Sequence, residues 1–406
     1  MNDKFEQDGI EEIAHDEGIE EENDLDSEQE TFTYSVDNNR RGGGRSYSSS
    51  NSSLLYALVG GGVLIVIIII LVIVANGAKS SSYSQVEDKM IQGAKNYYAD
   101  NESLLPSEDG NFSKVDASTL SDGGYIKPLS QYFKGVQECS GFVEVYKVQE
   151  EYSYFPTLNC GSYSTQKLVD KVIGEGVVSQ GSGLYFVNNE YVYRGEFPNN
   201  FVSFDGHKWR IIKVNEDKSI KMILLEREID RVVWDDRYNS ASESNTGIND
   251  FRVSRALEYL DSGYKNNKFV SKKNKELLVK RPWCIGKFTQ DETIPYASLD
   301  PCNDTYDLYV GMVTVHEVLN ASIDANCVRM YDGECTNYNY FAYVPSTWTL
   351  NASTDKSYKV FSVNIGSVYV KDAAGDNYLR PVINLNPNVT VSKGTGTEKD
   401  PYVIGN

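Results

Sequence analysis

The chain has 406 residues, 40% of them hydrophobic, with 39 Lys plus Arg against 58 Asp plus Glu and a net charge of −19. The acid excess sits mainly in residues 1–53, whose 15 acidic and 4 basic side chains leave −8 for the other 353 residues. This balance lacks the basic footprint that nucleic-acid binding needs, and 29 tyrosines against 5 methionines favour half-buried β surfaces over helical bundles.

Residues 1–38 are acidic and poor in aromatics, so they read as a disordered tail. Within them Asp8-Gly9-Ile10-Glu11-Glu12 recurs as Glu17-Gly18-Ile19-Glu20-Glu21. The echo suits a docking motif over 8–21 for a cytoplasmic partner, or simply a solvated acidic run. Arg40 to Ser53 is a Gly/Ser linker that completes the first region, 1–53. Leu54 to Ala75 is 22 residues without a charge, enough to cross ~30 Å of hydrocarbon, and predicts one transmembrane helix. Arg40, Arg41 and Arg45 precede this span and only Lys79 closely follows it. The expected topology is therefore single-pass, with the N-terminus cytoplasmic and the rest extracellular.

Beyond the span, Val86, Met90, Ala94 and Tyr97/Tyr98 recur on one helical face. A short element near Leu120, a Gly123-Gly124 turn and a strand over Phe142 to Tyr146 follow, and together they make 77–165 a small α+β domain. Residues 166–183 read as a short helix and a Gly-rich linker. The remainder, 184–406, is long enough for one core. It predicts a hairpin about Asn188-Asn189, strands over Phe201 to Val214 and Ile220 to Leu225, and a helix from Asp250 to Leu260 capped by Asn249 or Asp250. A second helix is expected over Lys272 to Val279. Strands follow over Tyr340 to Val344, Tyr358 to Ile365, Val368 to Val370 and Leu379 to Leu385. The expected fold class is thus α+β, a transmembrane helix, a small domain and a larger mixed antiparallel-β domain with two or three helices.

All six cysteines, Cys139, Cys160, Cys284, Cys302, Cys327 and Cys335, follow the span. An even count confined to that side reads as disulfides in an oxidising compartment. Sequence-local pairing joins Cys139 to Cys160, Cys284 to Cys302 and Cys327 to Cys335. No C-x-x-C occurs, so a redox motif or zinc ribbon has no support.

Two resemblances to exported proteins of low-G+C Gram-positive bacteria add to this reading. Over 54–165, an apolar helix running into an amphipathic one, then Lys95-Asn96-Tyr97-Tyr98, Leu120…Gly124-Tyr125-Ile126 and a cysteine-bracketed strand resemble a type IV pilin or pseudopilin. No acidic residue heads the span, and what the resemblance implies is shared architecture. Over 184–406, Trp209-Arg210-Ile211-Ile212, Val310-Gly311-Met312-Val313-Thr314…Glu317, Ser346-Thr347-Trp348-Thr349-Leu350, Leu379-Arg380-Pro381-Val382-Ile383-Asn384-Leu385 and Gly394-Thr395-Gly396…Pro401-Tyr402-Val403-Ile404 are similar to a family of unknown function. Its layout resembles C-type-lectin-like and formylglycine-enzyme-like domains.

Chemistry-bearing motifs are scarce. His316-Glu317 opens HEVLN, but the second zinc-binding position of HExxH holds Asn320, so a capped helix start is expected and no metal site. His207 falls in a turn. Ser353 and Lys356 form S-x-x-K without its companion motifs. Asp235-Asp236 reads as a solvated pair rather than a glycosidase dyad, and Asp372…Gly375-Asp376-Asn377, which lacks EF-hand or RTX spacing, suits a calcium loop or a polar hairpin tip equally well. Gly174-x-Gly176 lacks the third glycine of a phosphate loop. Trp209 and Trp348 are expected in the core. Tyr338, Asn339 and Tyr340, polar-aromatic and next to an expected disulfide loop, are the ligand-binding candidates. The expected function is non-enzymatic, without cofactor: a membrane-anchored display protein offering its distal domain to cell wall, glycan or protein ligands. A sensor or scaffold working through the acidic tail is the alternative, and a cell-wall enzyme comes third.

Overall fold

The amphipathic run after residue 81 forms helix α1, Tyr83–Asp100, in a computed structural model that describes residues 81–404 apart from 109–110, 134, 136–137, 149–150, 227–229, 299 and 329–338. Ser82 and Gln85 close a reciprocal capping box at its start, and Val86, Met90, Ala94 and Tyr98 are buried. They pack on a four-stranded antiparallel sheet: β1 (Phe112–Asp116), β2 (Cys139–Val148), β3 (Glu151–Cys160) and β4 (Tyr163–Ser164), in that order. Helix α2 (Ala117–Asp122) adds Ala117 and Leu120 to the same core. Cys139 and Cys160 stand opposite each other at the open end of the β2–β3 hairpin and form a disulfide, with Cα atoms 4.3 Å apart.

Helix α3 (Leu168–Gly174) buries Leu168, Val169 and Val172 in a second, larger core that also takes in Phe155 from β3. The strands around that core are β5 (Gly183–Val187), β6 (Glu190–Arg194), β7 (Phe201–Phe204), β8 (His207–Val214), β9 (Ile220–Leu224) and β10 (Arg231–Val233). Helix α4 (Arg255–Lys265) intervenes before β11 (Arg281–Cys284), β12 (Lys287–Phe288), β13 (Thr305–Leu308) and β14 (Val310–Gly311). Helix α5 (Val315–Asn320) leads to β15 (Thr347–Ser353), β16 (Lys359–Asn364), β17 (Ser367–Asp372), β18 (Asp376–Tyr378), β19 (Val382–Leu385), β20 (Val391–Lys393) and β21 (Tyr402–Ile404).

Nine strands make the main sheet, in the order β14-β19-β9-β8-β7-β21-β20 with the β5–β6 hairpin attached through β6 to β8. The expected Asn188-Asn189 turn forms that hairpin, both residues at positive φ as a two-residue hairpin turn requires. Strand β21 enters the sheet parallel to β7 and antiparallel to β20. A second sheet, β12-β15-β16-β17, packs into the same core. All four tryptophans are buried, and each indole N–H donates to a backbone carbonyl, leaving no cost of an unmade bond. Two of these bonds are reciprocal: Trp234 reaches Thr349 on β15, and Trp348 reaches Val232 on β10.

The expected fold class is corrected here. The described residues are mostly β, with 36% strand against 22% helix. No helix among the described residues is long and apolar enough to cross a membrane, so the structure gives a transmembrane helix no support. The acidic tail, the 8–21 echo and the 54–75 span lie outside the described residues. The balance shifts to strand because stretches expected as helices are short. Lys272–Leu277 is a six-residue 3-10 turn, and the helix expected at Asp250 starts at Arg255, because Ser254 is its cap and Asp250 caps a separate 3-10 turn. Tyr340–Tyr343, expected as a strand, is also a 3-10 turn. The disulfides expected for Cys139–Cys160 and Cys284–Cys302 are formed. Cys327 is disulfide-bonded too, while Cys335 lies outside the described residues.

One ion pair is sealed inside the larger core. Lys221 on β9 contacts Glu317 on α5, both nearly without exposure, and the Lys221 ammonium sits 4.0 Å from the centre of the Trp283 ring. Glu317 also closes the capping box of α5 with Thr314. Burial pushes the Glu317 carboxyl upward, but the Lys221 and Lys213 cations outweigh it and hold the carboxyl below its ordinary range.

Gly247 closes the loop between β10 and α4 at φ +84°, with its N–H donating to the Arg237 carbonyl at 3.0 Å. A Cβ there would collide with the backbone carbonyl of Asp235. Gly247→Ala is expected to cost about 1–3 kcal/mol through the strained φ and the collision. An unchanged denaturant midpoint would contradict that account of the loop.

Candidate functional site

Helix α4 is specified locally. The Ser254 hydroxyl accepts from the Leu257 N–H at 3.1 Å, Glu258 occupies the first turn, and Lys265 the last, where each charge complements the helix dipole. Its inner face buries Ala256, Leu257, Leu260 and Gly263, which leaves Glu258, Asp261 and Lys265 outward. The helix packs beside β14, and strand β13 pairs antiparallel with β11, placing Tyr306 opposite Trp283. Cys284 at the end of β11 is bonded to Cys302, three residues before β13, with Cα atoms 5.5 Å apart. The disulfide thus pins the strand that carries Tyr306.

Between α4 and β13–β14 runs an open groove in two lobes of about 530 and 320 Å³. Asp261 and Tyr306 line both, so the two lobes adjoin at these side chains. The first lobe adds Arg237, Arg252 and Glu258, and the second Tyr264, Lys265, Lys280 and Asp307. Tyr306 stands edge-on to Phe251 with ring centres 6.4 Å apart, and Tyr264 stacks on Tyr309 at 5.1 Å. Burial pushes the Tyr264 phenol up to about 12, so it remains a neutral hydrogen-bond donor at physiological pH.

Ion pairs organise the first lobe. Glu258 is shared by Arg237 at 2.6 Å and Arg255 at 2.9 Å, and Arg255 also reaches Asp236 at 3.0 Å. Arg252 makes a two-pronged bridge to Asp304 at 2.7 and 2.6 Å. The hydrogen bond from Arg255 holds the Glu258 carboxyl below its ordinary range, and that to Asp304 raises the Arg252 guanidinium. Pairs this exposed contribute little to stability, which leaves both partners free to exchange onto a ligand. The groove therefore offers donors, acceptors and an aromatic face. The nearby Ser254 hydroxyl is committed to the helix cap and a bond to the Phe251 carbonyl at 2.9 Å, not to nucleophilic work.

The residues proposed from sequence lie elsewhere. Asn339 and Tyr340 are in the interior, at 1% and 0% exposure, and Tyr338 is outside the described residues. Asn339 caps the 3-10 turn by accepting from the Phe341 N–H at 3.0 Å and donates to the Gly366 carbonyl at 3.1 Å. Tyr340 stacks on Phe341, with the Arg210 guanidinium 4.8 Å from its ring centre. The polar and aromatic groups of Asn339 and Tyr340 thus serve the turn and its packing.

Other motifs resolve likewise. His316 is buried with a ring nitrogen 3.1 Å from the Ser298 carbonyl, and His207 lies 3.6 Å from Glu226. Asp235 is buried and accepts from the Arg237 and Ile248 amides, whereas Asp236 faces Arg255. Ser353 donates to Asp355 at 3.0 Å, and Asp372 and Asp376 pair with Lys359 and Arg231. The groove residues were missed because they come from segments around 237, 252–265, 280 and 306–310. Only the outward face of α4 carried a visible pattern. No protein-family model, curated protein or solved structure matches this chain.

Proposed function

We propose that this chain is a non-enzymatic binding protein of the cell surface, and that the groove between α4 and β13 receives an extended polar ligand of the cell wall or another surface glycan. The observation that carries the reading is the pair of adjoining open lobes, walled by a disulfide-pinned strand and sharing Tyr306 between exposed, exchangeable charges. Disulfides support an oxidising compartment, where such ligands are met. A two-lobed open trough suits a chain-like ligand better than a compact one, and tyrosine faces flanked by charged groups suit hydroxyl-rich partners.

The test is capture of the purified, oxidised full chain on an insoluble cell-wall fraction and a glycan array. Tyr306→Ala is expected to weaken capture about tenfold, a stacking loss near 1.4 kcal/mol, measured at a temperature where the variant remains folded, because Tyr306 also packs on Phe251. Equal capture by Tyr306→Ala and the parent chain would remove the groove from the binding reaction.

A further inference from the structure

We infer that the groove takes an anionic glycan, whose carboxylate or phosphate groups are received by a lysine fringe at the end of its second lobe. The inference rests on the groove reading above and names the ligand's charge. Against a chain at −19, residues 265–281 carry seven cations, Lys265, Lys268, Lys272, Lys273, Lys275, Lys280 and Arg281, and a single carboxylate, Glu276. Two of the seven are neutralised in place: Lys268 by Asp230 at 2.5 Å, and Arg281 by Asp217. The other five enter no ion pair among the described residues, and all but the half-buried Lys275 are exposed.

Two of the five line the groove and a third contacts its wall. Lys265 ends α4 and Lys280 precedes β11, yet both line the second lobe. Lys275 ties them together: its ammonium lies 4.4 Å from the centre of the Tyr264 ring, which lines that lobe, and donates to the Lys265 carbonyl at 3.3 Å. The segment is held firmly. Asp205 accepts from the Ser271 hydroxyl at 2.8 Å and from Asn274 at 2.6 Å, while Val279 and Leu277 exchange backbone bonds with Asn384 and Asn386. Burial lowers the Lys275 ammonium, with the nearby Glu151 carboxylate offsetting part of that and Lys272 adding a smaller lowering.

Shape and the remaining charges select the anion's carrier. The groove is concave, which disfavours a flat lipid surface. Asp261 and Asp307 lie in the same lobe, and Glu258 and Asp261 continue along the first. These carboxylates repel a phosphate backbone with no hydroxyls between its charges, such as oligo-dT, whereas a sugar or polyol polymer alternates charged groups with hydroxyls that carboxylates bind well.

The experiment titrates the oxidised full chain with polygalacturonate fragments, a polyol-phosphate polymer, fully methyl-esterified polygalacturonate, oligo-dT and phosphatidylglycerol vesicles, at low and at moderate salt. One or both anionic polymers are expected to bind, at least tenfold more weakly at the higher salt and at least tenfold more weakly in Lys265→Gln/Lys280→Gln. The two polymers separate carboxylate from phosphate recognition. An unchanged unfolding midpoint confirms that these exposed substitutions leave the fold intact. The inference is overturned if the neutral ester binds as well as its parent, if the lysine variant binds equally, if oligo-dT or vesicles are preferred, or if neither polymer binds. A Tyr306→Ala defect on the cell-wall fraction that persists alongside any of these outcomes leaves the groove reading standing.

Discussion

Lys221→Met lowers the unfolding free energy by about 3–5 kcal/mol, because buried Glu317 loses its direct ion-pair partner and keeps only the weaker attraction of Lys213. The substitution keeps the volume of the side chain beside the Trp283 ring, so packing loss contributes little. The double variant Lys221→Met/Glu317→Leu recovers most of that loss, since the desolvation of two charges disappears together with their attraction. A double-mutant cycle by denaturant unfolding checks both statements, and equal destabilisation by the single and double variants would refute them. The pH dependence has a definite sign. Glu317 has a folded pKa below its ordinary 4.5, so its stabilisation is present above that value and fades as pH falls through the folded pKa. The double variant therefore shows a shallower loss of stability on acidification than the parent chain.

Removing the Cys284–Cys302 disulfide, as Cys284→Ala/Cys302→Ala, is expected to destabilise the protein by about 3 kcal/mol, the scale for a loop of this length. The functional loss should exceed the stability loss. The β11–β13 pair is an isolated two-stranded sheet, and such a ribbon is marginal without a staple. Tyr306 and Asp307 both ride on it, so the groove loses one wall before the main sheet unfolds. Capture on the cell-wall fraction at a temperature where the variant stays folded is the measurement. Full capture would show that the groove wall is held by packing alone.

What was legible in the sequence follows from how local each signal is. The Asn188-Asn189 hairpin, the strands about Trp209 and Ile220, the face of α1 and two disulfides come from spacings within a few residues or a short loop. Helix lengths were less legible. Asp250 and Ser254 both offer capping oxygens, and only the packing of Ala256 and Leu260 on the core decides which one starts α4. Tyr340 looked like a binding residue because aromatic and amide side chains serve burial and recognition equally well, and the difference is set by the 3-10 turn that Asn339 caps. The lysine fringe was hidden by averaging: a chain at −19 conceals a short stretch of opposite sign. Its relation to the groove depends on Lys275 reaching across to Lys265, a contact between a helix end and a later turn.

The parallel seat of β21 beside β7 sets a condition on biosynthesis. Residues 402–404 fill a slot next to residues 201–204, some two hundred positions earlier in the chain, and they separate β7 from β20. Until residues 402–404 have been made, β7 has an open edge with unmatched amide and carbonyl groups, the arrangement that recruits other chains. Pairings this distant also slow folding once the chain is complete. The nascent protein must therefore be kept apart from its siblings until residue 404 has emerged, and a holding chaperone that favours extended chain should raise its yield more than one that accelerates local folding.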